Sequence, residues 1–265
     1  MTLGQAASVG LGFILVIGTL AWIASLRLRD ASIADIGWGL GFVALAWLYT
    51  VLLAGDDGRT LTVAGLVTIW GLRLAGHIFM RSRGRGEDPR YAAMRQRSGP
   101  SFWWRSLFVV FWLQGSLLWC VALPLLVVPR ATAPFPSALD LAALVLFITG
   151  FAFEAVGDWQ LARFKADPAN RGAVMDRGLW RYSRHPNYFG DAVVWWGIFL
   201  FAVGAPGGWV TALGPVLMTW LLRRVSGVTL LEEGLRASKP AYADYVARTP
   251  AFVPWFPKGG PRSGR

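Results

Sequence analysis

The sequence predicts an all-α polytopic membrane protein, a bundle of about seven transmembrane helices with its N-terminus outside and its C-terminus cytoplasmic. Three observations predict it. Hydrophobic residues make up 55% of the 265 residues and charged residues only 15%, a balance foreign to soluble domains. Apolar runs of bilayer length recur along the chain. The basic residues fall almost wholly in alternate loops between those runs.

The spans are expected at residues 7–26, 36–54, 61–80, 107–129, 138–157, 188–204 and 208–224. No basic segment precedes the first run, so it reads as a span rather than a cleaved signal peptide. Arg27 and Arg29 follow span 1, and Arg81 to Arg105 follow span 3. Arg163, Lys165, Arg171, Arg177, Arg181 and Arg184 follow span 5, and a further basic group runs from Arg223 to Arg265. The opposite loops hold Arg59 and Arg130. The positive-inside rule then sets the orientation. Gly204-Ala205-Pro206-Gly207-Gly208 is a tight turn that makes spans 6 and 7 a hairpin. The whole chain reads as a single membrane domain, residues 1–265, with a cytoplasmic tail at 225–265. In that tail Leu231-Glu232-Glu233-Gly234-Leu235 suits an amphipathic helix, and Pro254-Trp255-Phe256-Pro257 an interfacial aromatic anchor.

Composition also excludes functions. One cysteine, Cys120, and two histidines leave no disulfide framework and no multi-ligand metal centre. The net charge of +11 belongs to loops facing anionic lipid rather than to a nucleic-acid interface. The partners expected are therefore the lipid bilayer and a hydrophobic small-molecule substrate. The absence of an internal repeat weighs against an inverted-repeat transporter.

The polar residues inside this apolar chain mark the candidate site. The run Gly178-Leu179-Trp180-Arg181-Tyr182-Ser183-Arg184-His185-Pro186-Asn187-Tyr188-Phe189-Gly190-Asp191 enters span 6. Pro186 suits the first turn of that helix. The free amides there, beside Arg181, Arg184 and His185, suit a phosphate or carboxylate, or else the arginines meet lipid headgroups. Glu154 and Asp158 share one face at the end of span 5, and Asp167 to Gly172, with Asn170 and Arg171, form a turn. In span 3, Trp70, Arg73 and His77 share a face, and the depth of Arg73 calls for a carboxylate partner such as Asp35 or Glu154. Asp35 at the start of span 2 suits a helix cap, a partner for Arg73, or a general acid. Gln114 in span 4 suits an interhelical hydrogen bond, and Glu87-Asp88-Pro89-Arg90-Tyr91 a solvated turn.

On these motifs the chain resembles the DUF1295 group, bacterial relatives of the steroid 5-alpha-reductases and sterol reductases. The residues that carry the resemblance are Asp35-Ile36-Gly37-Trp38-Gly39, Arg73-Leu74-Ala75-Gly76-His77, Glu87 to Tyr91, Asp158 to Lys165, the run 178–191 and Glu232. The resemblance implies a seven-helix reductase holding NADPH at the cytoplasmic face of a bacterial inner membrane. It matches Asn187, Tyr188 and Asp191 to a cofactor-binding motif, and matches Trp195, Asp158, Lys165 and Arg73 to further site positions. With the neighbouring polar residues, the expected cofactor set becomes Asp158, Lys165, Asn170, Arg171, Arg181, Tyr182, Arg184, His185, Asn187, Tyr188, Asp191, Trp195 and Glu232. The expected catalytic set is His77, Arg73 and Asp35. The chain departs from the steroid enzymes at Trp70, where they carry a tyrosine, and at Glu232, where they carry a histidine, so a steroid substrate does not transfer.

Two other functions fit parts of the sequence. Arg184-His185-Pro186 and Glu232-Glu233, with a later Tyr242 and Tyr245, also resemble membrane methyltransferases of the isoprenylcysteine type, which use S-adenosylmethionine. A non-enzymatic lipid-binding protein is the third reading, and it leaves Arg73 and the Asn187 cluster without a task.

Overall fold

A computed structural model describes residues 1–225, 228, 232, 239 and 241–258. Among them every regular element is helical, as expected. Helix α1 spans Leu3–Leu28, α2 Ile33–Leu52, α3 Gly58–Ser82 and α4 Pro89–Ser98. Helix α5 (Phe102–Ser106) continues through a π-helical segment (Leu107–Trp112) into α6 (Leu113–Val121). A short α7 (Leu123–Val127) follows, then the long α8 (Ala138–Ala166), α9 (Pro186–Val203) and α10 (Leu213–Trp220). A second π-helical segment covers Leu221–Val225, and α11 covers Tyr242–Arg248.

Among the described residues five runs are long and apolar enough to cross a membrane: Leu3–Leu28, Ile33–Leu52, Gly58–Ser82, Pro89–Val121 and Ala138–Ala166. These overlap the first five expected spans, with shifted ends. The fourth starts earlier than residue 107 and stops at Val121, because Pro124 opens a separate short helix instead of continuing the turn. The fifth runs past residue 157 to Ala166, where Asp167-Pro168 ends it. The expected sixth span is α9, which carries Asn187 and Asp191 in its first turns. The expected seventh divides into a tight turn (Gly208–Ala212), α10 and the second π-helical segment.

Sequence chemistry explains the helix starts. The Asp57 carboxylate accepts from the Arg59 and Thr60 amides at the head of α3. Asp88 caps α4 in the same way, with Pro89 at its first position. The segment Glu87 to Tyr91 is thus a helix start, not a solvated turn, and Tyr91 is buried.

Contacts group the chain into two units, Met1–Asp140 with Phe201–Gly214, and Leu141–Leu200 with Pro215–Arg265. In the first, α2 and α3 cross at paired glycines. A Cβ on Gly71 would lie 2.6 Å from the Gly39 carbonyl oxygen. The close crossing seats Phe42 against Trp70, ring centroids 5.6 Å apart. Arg59, expected in an outer loop, is buried, and its guanidinium pairs with Asp140 at 2.7 and 2.9 Å.

In the second unit α8 and α9 also meet at glycines. A Cβ on Gly150 would lie 2.6 Å from both the Gly190 carbonyl oxygen and the Val194 amide nitrogen. A Cβ on Gly157 would lie 3.2 Å from the Asn187 amide nitrogen. Backbones this close bring the acid-bearing face of α8 to the head of α9.

Candidate functional site

The polar run that enters α9 is held from three directions. The Trp180 indole donates to the Gly157 carbonyl at 3.0 Å. The Ser183 hydroxyl donates to the Phe252 carbonyl at 2.8 Å, and the Arg184 amide to the Pro250 carbonyl at 2.9 Å. The Tyr245 hydroxyl donates to the Trp180 and Ser183 carbonyls. Burial raises the pKa of that phenol, so it stays a donor across the physiological range.

Arg184, His185 and Glu232 meet at the centre. Arg184 donates to both carboxylate oxygens of Glu232, from Nε at 2.7 Å and from Nη2 at 3.1 Å. Its Nη1 donates to the Val246 and Thr249 carbonyls. Four of roughly five guanidinium N–H groups are thereby engaged. His185 Nε2 lies 3.3 Å from Glu232 Oε1, and its ring stacks on Tyr188 with centroids 5.5 Å apart. Burial opposes ionisation of Glu232, but the hydrogen bonds from His185 and Arg184 outweigh it and hold the carboxyl at about 2. Glu233 and the rest of the expected amphipathic stretch lie outside the described residues.

Beside this clasp, Asn187 Nδ2 donates to Asp158 Oδ1 at 2.9 Å. Asn187 Oδ1 is buried and accepts no hydrogen bond among the described residues. Such an atom costs stability unless a donor reaches it. Glu154, Asp158, Asp191 and Trp195 are buried in the same unit. The other expected cofactor residues stand further out. Lys165, Arg171, Arg181 and Tyr182 are exposed, and Asn170 is half-buried with its amide on the Phe164 carbonyl.

In the first unit the expected catalytic residues lie on α2 and α3. Arg73 and His77 are both half-buried. Asp35 sits at the centre of a network the sequence did not disclose. Its Oδ1 accepts from the Tyr91 hydroxyl at 2.6 Å and its Oδ2 from Arg90 at 2.7 Å. Gln114 Nε2 donates to the Tyr91 oxygen at 2.8 Å, so Gln114 has the interhelical partner its position required. Arg90 also binds Asp88, and Arg95 binds Glu87 through two bonds. Arg95 draws the Glu87 carboxyl below its ordinary range. For Asp88, burial works the other way, but Arg90 prevails and lowers it. The missed signal was Asp88-Pro89, a cap and first-turn pair that starts a helix and turns Tyr91 inward. A small apolar cavity lined by Ile14, Gly18, Gly37, Gly41 and Gly115 includes Gln114 in its wall.

A family model described as protein of unknown function (DUF1295) matches residues 21–249. The chain belongs to this family. A protein of Schizosaccharomyces pombe, described as uncharacterized, is 26% identical over 279 residues, covering 93% of this chain and 79% of its own length. No solved structure matches the chain. The matched residues take in both the Asp35 network and the Asn187 cluster.

Proposed function

We propose that this protein is a membrane-embedded, NADPH-dependent reductase of a carbon–carbon double bond conjugated to a carbonyl in a lipid or isoprenoid substrate. The observation that carries the reading is Asn187. Among the described residues its buried Oδ1 accepts from no donor, and its Nδ2 is fixed by Asp158, so it presents an oriented acceptor. A carboxamide N–H₂, as on nicotinamide, is a donor of the required kind, and by that test the residues fit the cofactor. NADPH when bound supplies the hydride. Asn187 and Tyr188 orient it, and the exposed Lys165, Arg171 and Arg181 receive its phosphates. Arg184, His185 and Glu232 shape the site from behind, since the guanidinium is already occupied by the carboxylate and two carbonyls.

On the substrate side, His77 polarises the carbonyl and Arg73 supports it. The network of Asp35 adds Tyr91, whose hydroxyl donates to Asp35 and whose oxygen accepts from Gln114, so that the tyrosine holds the Asp35 carboxylate in place. We place the cofactor residues on the cytoplasmic side of a bacterial inner membrane, from the basic loops around them.

The test is thermal melting of the detergent-solubilised protein with NADPH, NADH and S-adenosylmethionine in parallel. A ligand that binds only the folded state raises the melting temperature. NADPH is expected to do so. A rise with S-adenosylmethionine alone replaces the reductase by a methyltransferase, and no rise with any of them leaves a lipid-binding protein.

A further inference from the structure

The second unit holds a cavity that the proposed reaction does not use. It has a volume of about 350 Å³ and lies between the basic end of α8 and the segment 167–178. Its wall includes Trp159, Arg163, Phe164, Asp167, Asn170 and Arg177. On α8 the residues Gln160, Arg163 and Phe164 share one face, with Asp167 just past its end, and Glu154, Asp158 and Lys165 lie on the opposite face. The cavity therefore backs onto the Asn187–Asp158 cluster across the helix instead of merging with it.

Its walls are built. Gln160 Oε1 accepts from the Leu179 amide at 3.0 Å. Gly178 has a φ of +57°, and a Cβ there would meet the Gln160 carboxamide at 2.5 Å, so the turn favours glycine as long as Gln160 holds its bond to Leu179. Asn170 Nδ2 ties the loop to the Phe164 carbonyl at 3.1 Å, and Asp167 takes the Ala169 amide at 2.9 Å. Among the described residues neither Arg163 nor Arg177 forms a salt bridge, and both are exposed. The Arg163 guanidinium lies over the exposed Trp159 ring, 5.6 Å from its centroid. Stacking of this kind fixes the plane of the guanidinium and leaves its N–H edge for an anion.

We propose that this cavity binds a phosphate ester, with Arg163 and Arg177 on the phosphate oxygens and Trp159, Phe164 and the Met175 side of the wall against its apolar body. Two arginines facing one cavity suit the three acceptor oxygens and higher charge of a phosphate ester, which can take one bidentate pair from each guanidinium. The ester arrives either as a lipid headgroup or as a soluble metabolite. The site is independent of the NADPH reading.

The experiment uses the full-length protein in an uncharged maltoside detergent, which contains no phosphate. Phosphatidylglycerol, glycerol 3-phosphate and diacylglycerol are titrated separately, and thermal melting is read. A rise of about 3 °C or more is expected with one of the two phosphate esters and none with diacylglycerol. A response to the lipid alone assigns a headgroup, and a response to glycerol 3-phosphate assigns a soluble ester. In Arg163→Gln/Arg177→Gln the affinity falls about tenfold or more, while Arg97→Gln, an exposed change elsewhere, leaves it unaltered. Both substituted side chains are exposed, and an unchanged melting temperature without ligand confirms that the fold survives. No response from either ester overturns the proposal, as does an equal loss in Arg97→Gln. An NADPH titration of the double variant reads the other site separately. If neither ester binds but NADPH affinity falls, the cavity belongs to the cofactor and the proposal fails, whereas failure of NADPH to bind the wild type leaves the ester result standing.

Discussion

Glu232→Gln tests whether the clasp at the head of α9 holds the C-terminal segment in place. The change keeps the size of the side chain and removes its charge. In the native protein the carboxylate accepts from Arg184 at 2.7 and 3.1 Å and lies 3.3 Å from His185 Nε2. These bonds lower its pKa from 4.5 to about 2. At about 1.4 kcal/mol per pH unit of displacement, the linkage amounts to about 3 kcal/mol at neutral pH. Solvent near the pair screens part of this, and about 2 kcal/mol is the figure to expect. Loss of the anion also leaves Arg184 as a buried, half-satisfied cation, which acts in the same direction. The sign follows from a depressed native pKa. The stabilisation is complete above about pH 4.5 and is lost as the pH falls toward about 2. Thermal melting followed by tryptophan fluorescence at pH 7 is expected to show Glu232→Gln below wild type by about 4–8 °C. At pH 3 that gap narrows. Equal melting temperatures at pH 7, or a gap that stays constant between pH 7 and pH 3, refute the reasoning.

Other predictions follow from the same geometry. Asn187→Ala removes the oriented acceptor and is expected to weaken NADPH binding about tenfold or more in a titration of the purified protein; unchanged affinity removes Asn187 from the site. Tyr91→Phe keeps the ring but deletes the hydroxyl between Gln114 and Asp35, so NADPH-dependent turnover should fall about a hundredfold with little change in cofactor affinity. Full turnover in that variant makes the tyrosine structural. Gly150→Ala puts a methyl 2.6 Å from the Gly190 carbonyl oxygen, where backbone must move, and should cost about 1–3 kcal/mol in a melting experiment. A melting temperature equal to wild type argues against the close crossing of α8 and α9.

The parts of the fold that local chemistry governs were legible. Long apolar runs placed the first five spans, because a bilayer-length stretch of nonpolar residues has few other stable forms. Pro186 heads a helix, as its fixed φ and missing N–H favour. The ends of spans 4 and 5 were not legible, since hydropathy does not see that Pro124 divides one helix or that polar residues from Asp158 onward extend another. The segment 87–91 misled for a related reason. Its charges suggested water, whereas Asp35, Ala31 and Ser32 take up its side chains and backbone within the first unit.

The sequence by itself determined the helical class, the membrane setting and the identity of the polar residues gathered at the head of α9. Those follow from composition and from periodicities of a few residues, which are local properties. Only the tertiary structure decided which polar groups satisfy one another. Arg184 finds its carboxylate 48 residues away, Asp35 finds Arg90 and Tyr91 some 55 positions on, and Asn187 keeps one oxygen unmatched among the described residues, beside Asp158. The physical reason is that a buried charge or amide must be paired by whatever the packing brings near it, and that packing joins residues far apart in the chain.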